Sequence, residues 1–196
     1  MEDKTLSSAA SLQLIDSMIN KARNRFSENG HLYLVWGWSI FFITLAQFFI
    51  IRYQLLAKPQ LLWMLTFVPW LYMMIYLRKK QHTETVRTYT EEITGYVWLV
   101  FVAMMFLNGL ILGKAKAFQA ILPLTLVLYG MPTTISGIVL RFRPLVLGGA
   151  ACGLLAIGSL FADYAHQHLF LSAAVAAAWI LPGYLLRRRY RTLLQH

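Results

Sequence analysis

The sequence predicts an all-α protein, a polytopic transmembrane bundle of six helices preceded by an amphipathic helix. Of its 196 residues, 58% are hydrophobic and only 13% are charged, whereas about a quarter of the residues in a soluble domain are charged. Between a few charged clusters run apolar stretches of about 20 residues, the length that crosses a bilayer. A backbone in lipid must satisfy its own hydrogen bonds, which favours helices throughout.

The six predicted spans are residues 33–51, 60–77, 95–113, 118–140, 144–162 and 168–186. They contain no Asp, Glu, Lys or Arg, and we assign His168, at the start of the last span, to the external loop that precedes it. The membrane domain as a whole is predicted to occupy residues 31–187, followed by a basic cytosolic tail at residues 188–196.

Two further helices are predicted outside the membrane. Residues 1–30 form a cytosolic amphipathic helix, whose apolar side chains recur at spacings of three and four: Leu12, Ile15, Ile19, Ala22 and Phe26. The loop 78–94 is expected to extend the second span as a cytosolic helix, because Val86, Tyr89 and Ile93 follow the same spacing.

The distribution of basic residues predicts the orientation. Fourteen of the 18 Lys and Arg residues lie in the N-terminal segment, in the loops after spans two and four, and in the C-terminal tail. The loops on the other side carry Arg52, Lys58, Lys114 and Lys116. Because basic residues are retained in the cytosol, we expect both termini there. The net charge of +10 then reflects topology and anionic lipid headgroups, and we expect no nucleic-acid binding.

Four polar residues are predicted to form a layer inside the bundle. Gln47, Asn108, Thr125 and Ser159 lie about 13 to 15 residues from the cytosolic ends of their spans, or roughly 20 Å. Polar side chains at this depth avoid lipid, so we expect them to turn inward and meet. The layer is either interhelical hydrogen bonding, which we favour, or a small polar cavity closed on its cytosolic side by a kink at Pro132.

Small residues predict where helices approach closely. Gly149 and Gly153 form a small-xxx-small pair in span five, and span six is rich in alanine over residues 172–178. Small faces let helix backbones come together in lipid. We expect span five to pack on span six of the same chain through Gly149 and Gly153, with a homodimer interface as the alternative.

Chemistry-bearing groups are few. Asp163, His166 and His168 cluster in the last external loop, but a metal site needs three or four oriented ligands. We favour a wet polar turn with a pH-sensitive charge, and leave metal binding open. The sequence contains no Walker loop, HExxH or GxSxG motif. We therefore expect no catalytic residues and no cofactor.

Two segments carry a family resemblance: SLQLIDSMINKARNRFSENGHLYLVWGW at residues 11–38 and GMPTTISGIVLRFRPLVLGG at residues 130–149. They resemble an uncharacterised family of six-span bacterial inner-membrane proteins, closely over about a quarter of the chain and elsewhere in layout. The resemblance implies the topology and a bacterial inner-membrane location. Members of this kind are often encoded beside a small winged-helix regulator, which implies a regulatory or stress role. The resemblance transfers no activity and no site residue.

These observations together predict a non-enzymatic membrane protein in a regulatory or structural role. It would act through contacts with the lipid bilayer and with a cytosolic protein partner or a second copy, using the N-terminal helix and the 78–94 loop. The alternative is a small transporter or permeation protein for an uncharged solute, which a cavity between spans three and four would favour. A membrane enzyme ranks third, because no converging titratable groups are visible.

Overall fold

The computed structural model describes residues 12–13, 30–83 and 89–194, and every regular element in them is helical. The helices are α1 (Gly30–Arg52), α2 (Phe67–Thr83), α3 (Tyr89–Lys114), α4 (Phe118–Val139), α5 (Arg143–Ser159), α6 (Tyr164–Val175) and α7 (Leu181–Leu194). A 3-10 helix, Pro59–Thr66, leads into α2, and a π-helical segment, Ala176–Ile180, joins α6 to α7. The predicted all-α class is confirmed.

Five helical stretches are long and apolar enough to cross a membrane: Gly30–Arg52, Pro59–Lys79, Glu92–Lys114, Phe118–Val139 and Tyr164–Arg189. They overlap five of the six predicted spans. The remaining prediction corresponds to α5, which is apolar but only 17 residues long, or about 25 Å at 1.5 Å per residue. The described part of the chain therefore contains five helices of membrane length and one shorter apolar helix.

The predicted extramembrane segments are described in part. The N-terminal amphipathic helix lies outside the described residues, apart from Leu12 and Gln13, which are helical. In the 78–94 loop, α2 continues to Thr83 and α3 begins at Tyr89, while Val86 lies outside the described residues. The segment predicted as a basic tail begins as helix, because α7 continues to Leu194.

The first helix runs antiparallel to the long helical stretch formed by α6, the π-helical segment and α7. Four contacts follow one register along this pair: Gly30 with Gly183, Gly37 with Ile180, Thr44 with Ser172, and Phe48 with His166. We call the end of the bundle at Gly30 the basic end, because Arg187 lies there, and the opposite end, at Asp163, the far end. The register fixes which side chains of the two helices face each other.

The pairing of α4 with α5 is close because glycine lines both sides of it. A Cβ atom added to Gly130 would lie 2.9 Å from the carbonyl oxygen of Gly149, and one added to Gly137 would lie 2.7 Å from the backbone nitrogen of Val146. Real Cβ atoms essentially never come this close to backbone. The absence of side chains at these positions lets the two backbones touch.

The helix α5 contacts the last predicted span through Gly148, and not through the predicted pair Gly149 and Gly153. Gly148 meets α6–α7, since a Cβ there would lie 2.8 Å from the carbonyl oxygen of Ala177, whereas Gly149 faces Gly130 of α4. Gly153 meets neither neighbour, because nothing lies within 4 Å of a Cβ placed on it. Adjacent residues on a helix point about 100° apart, so Gly148 and Gly149 serve two different crossings. The assignment of Gly149 and Gly153 to one crossing was wrong.

Three helices end in the same hydrogen-bonded turn. At the end of α3, the Ala117 N–H donates to Leu112 (2.9 Å) and the Lys116 N–H donates to Gly113 (3.2 Å), with Lys116 at φ 54°. This is a Schellman motif, which usually places glycine in the left-handed position. Gln54 after α1 and Arg141 after α4 adopt the same conformation. These turns reverse the chain without glycine.

Candidate functional site

A buried polar pair joins α3 to α4 midway along the bundle. The Asn108 Nδ2 atom donates to the Thr125 hydroxyl at 3.1 Å and lies 3.3 Å from the carbonyl oxygen of Ile121. A second pair joins α1 to α6, where the hydroxyls of Thr44 and Ser172 are 2.6 Å apart. Trp98 of α3 lies beside Tyr33 of α1, with ring centroids 6.3 Å apart.

Counting along the parallel helices α1 and α3 from that aromatic contact places the two pairs at one depth. Asn108 follows Trp98 by ten residues, and Thr44 follows Tyr33 by eleven. At 1.5 Å per residue these separations differ by about 1.5 Å. The four side chains therefore form one polar layer across the helices α1, α3, α4 and α6.

A second polar layer lies about one turn closer to the far end. The Gln167 Nε2 atom donates to the carbonyl oxygen of Gln119 at 3.0 Å and to that of Ser159 at 3.2 Å, which connects α6 to α4 and α5. The Ser159 hydroxyl donates to the carbonyl oxygen of Ala156. Gln47 and His168 belong to this layer on α1 and α6. We call the two layers together the polar core.

The four residues predicted from their depth all point inward. Gln47, Asn108, Thr125 and Ser159 are 1%, 5%, 3% and 0% exposed. Asn108 and Thr125 meet in a hydrogen bond, and Ser159 is connected to the polar core through its carbonyl oxygen. Gln47 forms no hydrogen bond with the other three. It lies across the bundle, on the face of α1 that packs on α6.

The structure separates the three residues of the predicted wet turn. The Asp163 carboxylate pairs with His166 Nδ1, and both side chains are exposed. The hydrogen bond from His166 lowers the pKa of Asp163 below its ordinary value. His168, in contrast, is fully buried in α6, so the assignment of His168 to a wet turn was wrong. Among the residues that the structure describes, no three His, Cys, Asp or Glu residues converge on a metal position.

His168 was misplaced because α6 begins earlier than hydropathy indicates. The predicted span starts at residue 168, whereas the helix starts at Tyr164, which carries His168 one turn inside. Its Nδ1 atom lies 3.0 Å from the Tyr164 carbonyl oxygen. A carbonyl can only accept, so Nδ1 carries the proton and Nε2 of the neutral ring is an acceptor.

Several buried polar atoms of the polar core have no hydrogen-bond partner in the protein: both amide atoms of Gln47, Oδ1 of Asn108, Oε1 of Gln167 and Nε2 of His168. An unpaired buried polar group costs about 1–3 kcal/mol, and lipid offers no partner either. Acceptors predominate in this set. The polar core therefore contains buried acceptor atoms with which a hydrogen-bond donor could pair.

An aromatic cluster closes the polar core toward the basic end. It comprises Tyr33, Trp98, Phe101, Tyr129 and Trp179. Trp179 lies at its centre, with its ring 4.6 Å from Tyr129 and 5.7 Å from Trp98, and it donates a 3.1 Å hydrogen bond to Thr133. We call this cluster the aromatic floor.

Pro132 does not interrupt its helix. The helix α4 continues through both Pro123 and Pro132. The Thr133 hydroxyl donates to the Tyr129 carbonyl oxygen at 2.8 Å, so a threonine supplements the backbone bonding next to the proline. The helix α4 is therefore continuous at Pro132, and the aromatic floor, not a kink at Pro132, lies between the polar core and the basic end.

Comparison of the chain with protein-family models, with curated proteins and with solved structures finds no match. Function is therefore inferred from the geometry described above.

Proposed function

We propose that this chain is a six-span protein of the bacterial inner membrane, with both termini in the cytosol. We further propose that it is not an enzyme and acts through contacts with another protein chain in a regulatory or structural role. The observation that carries the contact role is the uneven burial of its helices, because in two of them only 6% and 11% of the residues in the most apolar window are buried.

The six-span topology is supported by the positions of basic residues and by the number of crossings needed to place them on one side of the membrane. Arg78 lies in the second half of α2, Arg141 follows the end of α4, and Arg187 lies in α7. Basic residues are retained in the cytosol. Placing all three on one side requires α5 to cross the membrane. Its 17 residues are at the lower limit of about 17–25 for a spanning helix, and its glycine-lined contact with α4 covers its backbone inside the bundle.

Reporter fusions test this topology. Fusions at residue 85 and after residue 191 should report cytosol, and a fusion near residue 165 should report the outside. A cytosolic signal near residue 165 would remove α5 from the set of spans and overturn the six-span proposal.

The contact role follows from the peripheral position of α2 and α3. In the most apolar windows of Pro59–Lys79 and Glu92–Lys114, 6% and 11% of residues are buried, against 56% in Phe118–Val139 and in Tyr164–Arg189. Packing within the chain therefore buries few of the apolar residues of these two helices. Both helices also extend into the 78–94 loop, since α2 continues to Thr83 and α3 begins at Tyr89, and this loop is predicted to lie in the cytosol.

Photo-cross-linking in native membranes tests the contact role. A photoreactive amino acid at Leu71, exposed on α2, should give a discrete cross-linked product whose mass separates a second copy from a different partner. The matched control is Leu154, exposed on α5, which should give none. Absence of product from Leu71 and from Leu107, exposed on α3, would contradict the proposal.

The polar core favours a second candidate function, the permeation or transport of an uncharged solute. A path through the bundle would run from the far end to the aromatic floor, which would have to open. Proteoliposomes containing the chain should then swell faster in glycerol than empty liposomes, and Trp179→Ala should accelerate swelling further. Equal rates with and without protein would exclude this candidate.

A further inference from the structure

The side chains of Gln47 and His168 face each other across the contact between α1 and α6. Thr44 meets Ser172 in this antiparallel pair. Gln47 lies three residues beyond Thr44, and His168 lies four residues before Ser172. Residues three or four apart share a helix face, so both side chains lie one turn further toward the far end, on the facing surfaces. The ring contact between Phe48 and His166 marks the same level.

The two facing side chains leave three hydrogen-bonding atoms unpaired. The Gln47 amide offers one acceptor and one NH₂ donor, and neither has a partner. His168 offers Nε2 as an acceptor, because its Nδ1–H is donated to the Tyr164 carbonyl oxygen. The amide and the ring do not hydrogen-bond to each other. An ordered water molecule can bridge two polar groups that face each other without bonding directly.

We infer that Gln47 and His168 form a binding site for a small uncharged hydroxyl compound, either water or a short alcohol. A hydroxyl group both donates and accepts hydrogen bonds, so it can donate to His168 Nε2 and accept from the Gln47 NH₂ group. A second O–H, present in water and in diols, can donate to Gln47 Oε1. A cation would leave the Gln47 NH₂ group unpaired, and an anion would face two acceptors.

The surroundings of the site favour the same class of ligand. Its inner boundary is the hydrogen-bonded pair of Thr44 and Ser172, so the site continues into hydroxyl groups. No Lys, Arg, Asp or Glu side chain is buried among the described residues, and a charged ligand would therefore find no counterion there. The exposed pair of Asp163 and His166 lies at the far end, where the His166 ring contacts Phe48.

Cysteine labelling of the full chain in lipid nanodiscs tests this inference, with the native thiol removed by Cys152→Ala. Thr44→Cys and Gln47→Cys place a thiol in the proposed site, and Phe42→Cys places one on the exposed face of the same helix. The reagent is methyl methanethiosulfonate, which is small and neutral and reacts with the thiolate. A thiol ionises beside water or hydroxyl groups and stays protonated in hydrocarbon.

We expect Thr44→Cys and Gln47→Cys to react about tenfold or more faster than Phe42→Cys. Thr44→Cys keeps the inference testable if Gln47→Cys fails to fold. Slow reaction at all three positions would overturn the inference and leave the membrane-protein proposal intact. Fast reaction at all three would overturn the membrane embedding on which the inference rests.

Added solutes identify the ligand. Ethylene glycol should slow labelling of Thr44→Cys and Gln47→Cys if a short alcohol occupies the site, whereas sucrose of equal osmolality is too large to do so. Labelling that neither solute changes identifies water as the ligand. Either result supports the site, provided that the buried positions react faster than Phe42→Cys.

Discussion

Replacing Gly149 by alanine should separate α4 from α5. The added Cβ would lie 2.8 Å from the Gly130 carbonyl oxygen, 3.0 Å from the backbone nitrogen of Thr134 and closer still to the Thr134 hydroxyl. Two of these three atoms belong to the backbone, so no side-chain rotation relieves the overlap. Overpacking of this kind costs about 1–3 kcal/mol.

The same substitution at Gly153 provides a matched control on the same helix. Nothing lies within 4 Å of its added Cβ, so Gly153→Ala changes only the helix propensity, which favours alanine by about 1 kcal/mol. Gly149→Ala gains the same propensity term. The difference between the two variants therefore isolates the packing cost of about 1–3 kcal/mol.

The buried thiol of Cys152 makes the measurement direct. It is the single cysteine of the chain and lies on α5 between these two glycines, so a thiol-reactive dye reports unfolding in detergent. At about 2–4 °C per kcal/mol, Gly149→Ala should unfold roughly 2–12 °C below Gly153→Ala. Equal unfolding temperatures, or a lower one for Gly153→Ala, would refute the assignment of Gly149 to the crossing with α4.

Three further predictions concern single contacts. Trp179→Phe removes the hydrogen bond to Thr133 and should lower stability by about 1 kcal/mol in the same assay; an unchanged unfolding temperature would contradict this. Lys116→Gly relieves a left-handed residue and should raise stability by about 1 kcal/mol, so a loss would argue against the turn. His166→Gln should raise the pKa of Asp163 toward its ordinary value, measured by carboxyl NMR titration. Because the pKa of Asp163 is lowered in the folded protein, this pair stabilises the fold above the unfolded-state pKa of Asp163 and ceases to do so as the pH falls through the folded-state pKa. An unchanged Asp163 titration in His166→Gln would contradict the hydrogen bond between the two side chains.

Hydropathy and the depth of polar residues along each span predicted the features that depend only on the bilayer. The lengths of α1, α3 and α4 follow from the thickness that an apolar helix must cross. The inward orientation of Gln47 and Asn108 follows from the same medium, since an amide in hydrocarbon has no partner. These features need no knowledge of which helices are neighbours.

The features that depend on neighbours could not be predicted in this way. Whether Gly148 or Gly149 meets the last span depends on how α5 is rotated within the bundle, and one residue changes that rotation by about 100°. Trp98 and Trp179 meet in the aromatic floor, although neither span shows a pattern that pairs them. The burial of His168 depends on where α6 begins, and element boundaries carry the least signal in a sequence.

The antiparallel contact between α1 and α6 has a consequence for synthesis. Thr44 and its partner Ser172 are 128 residues apart in the chain. At about 5–20 residues per second, α1 leaves the ribosome roughly 6 to 25 s before its partner. During that interval the Gln47 amide has no opposite helix. The first helix must therefore remain without its partner, in the insertion machinery or in lipid, until the last predicted span is inserted and packs against it.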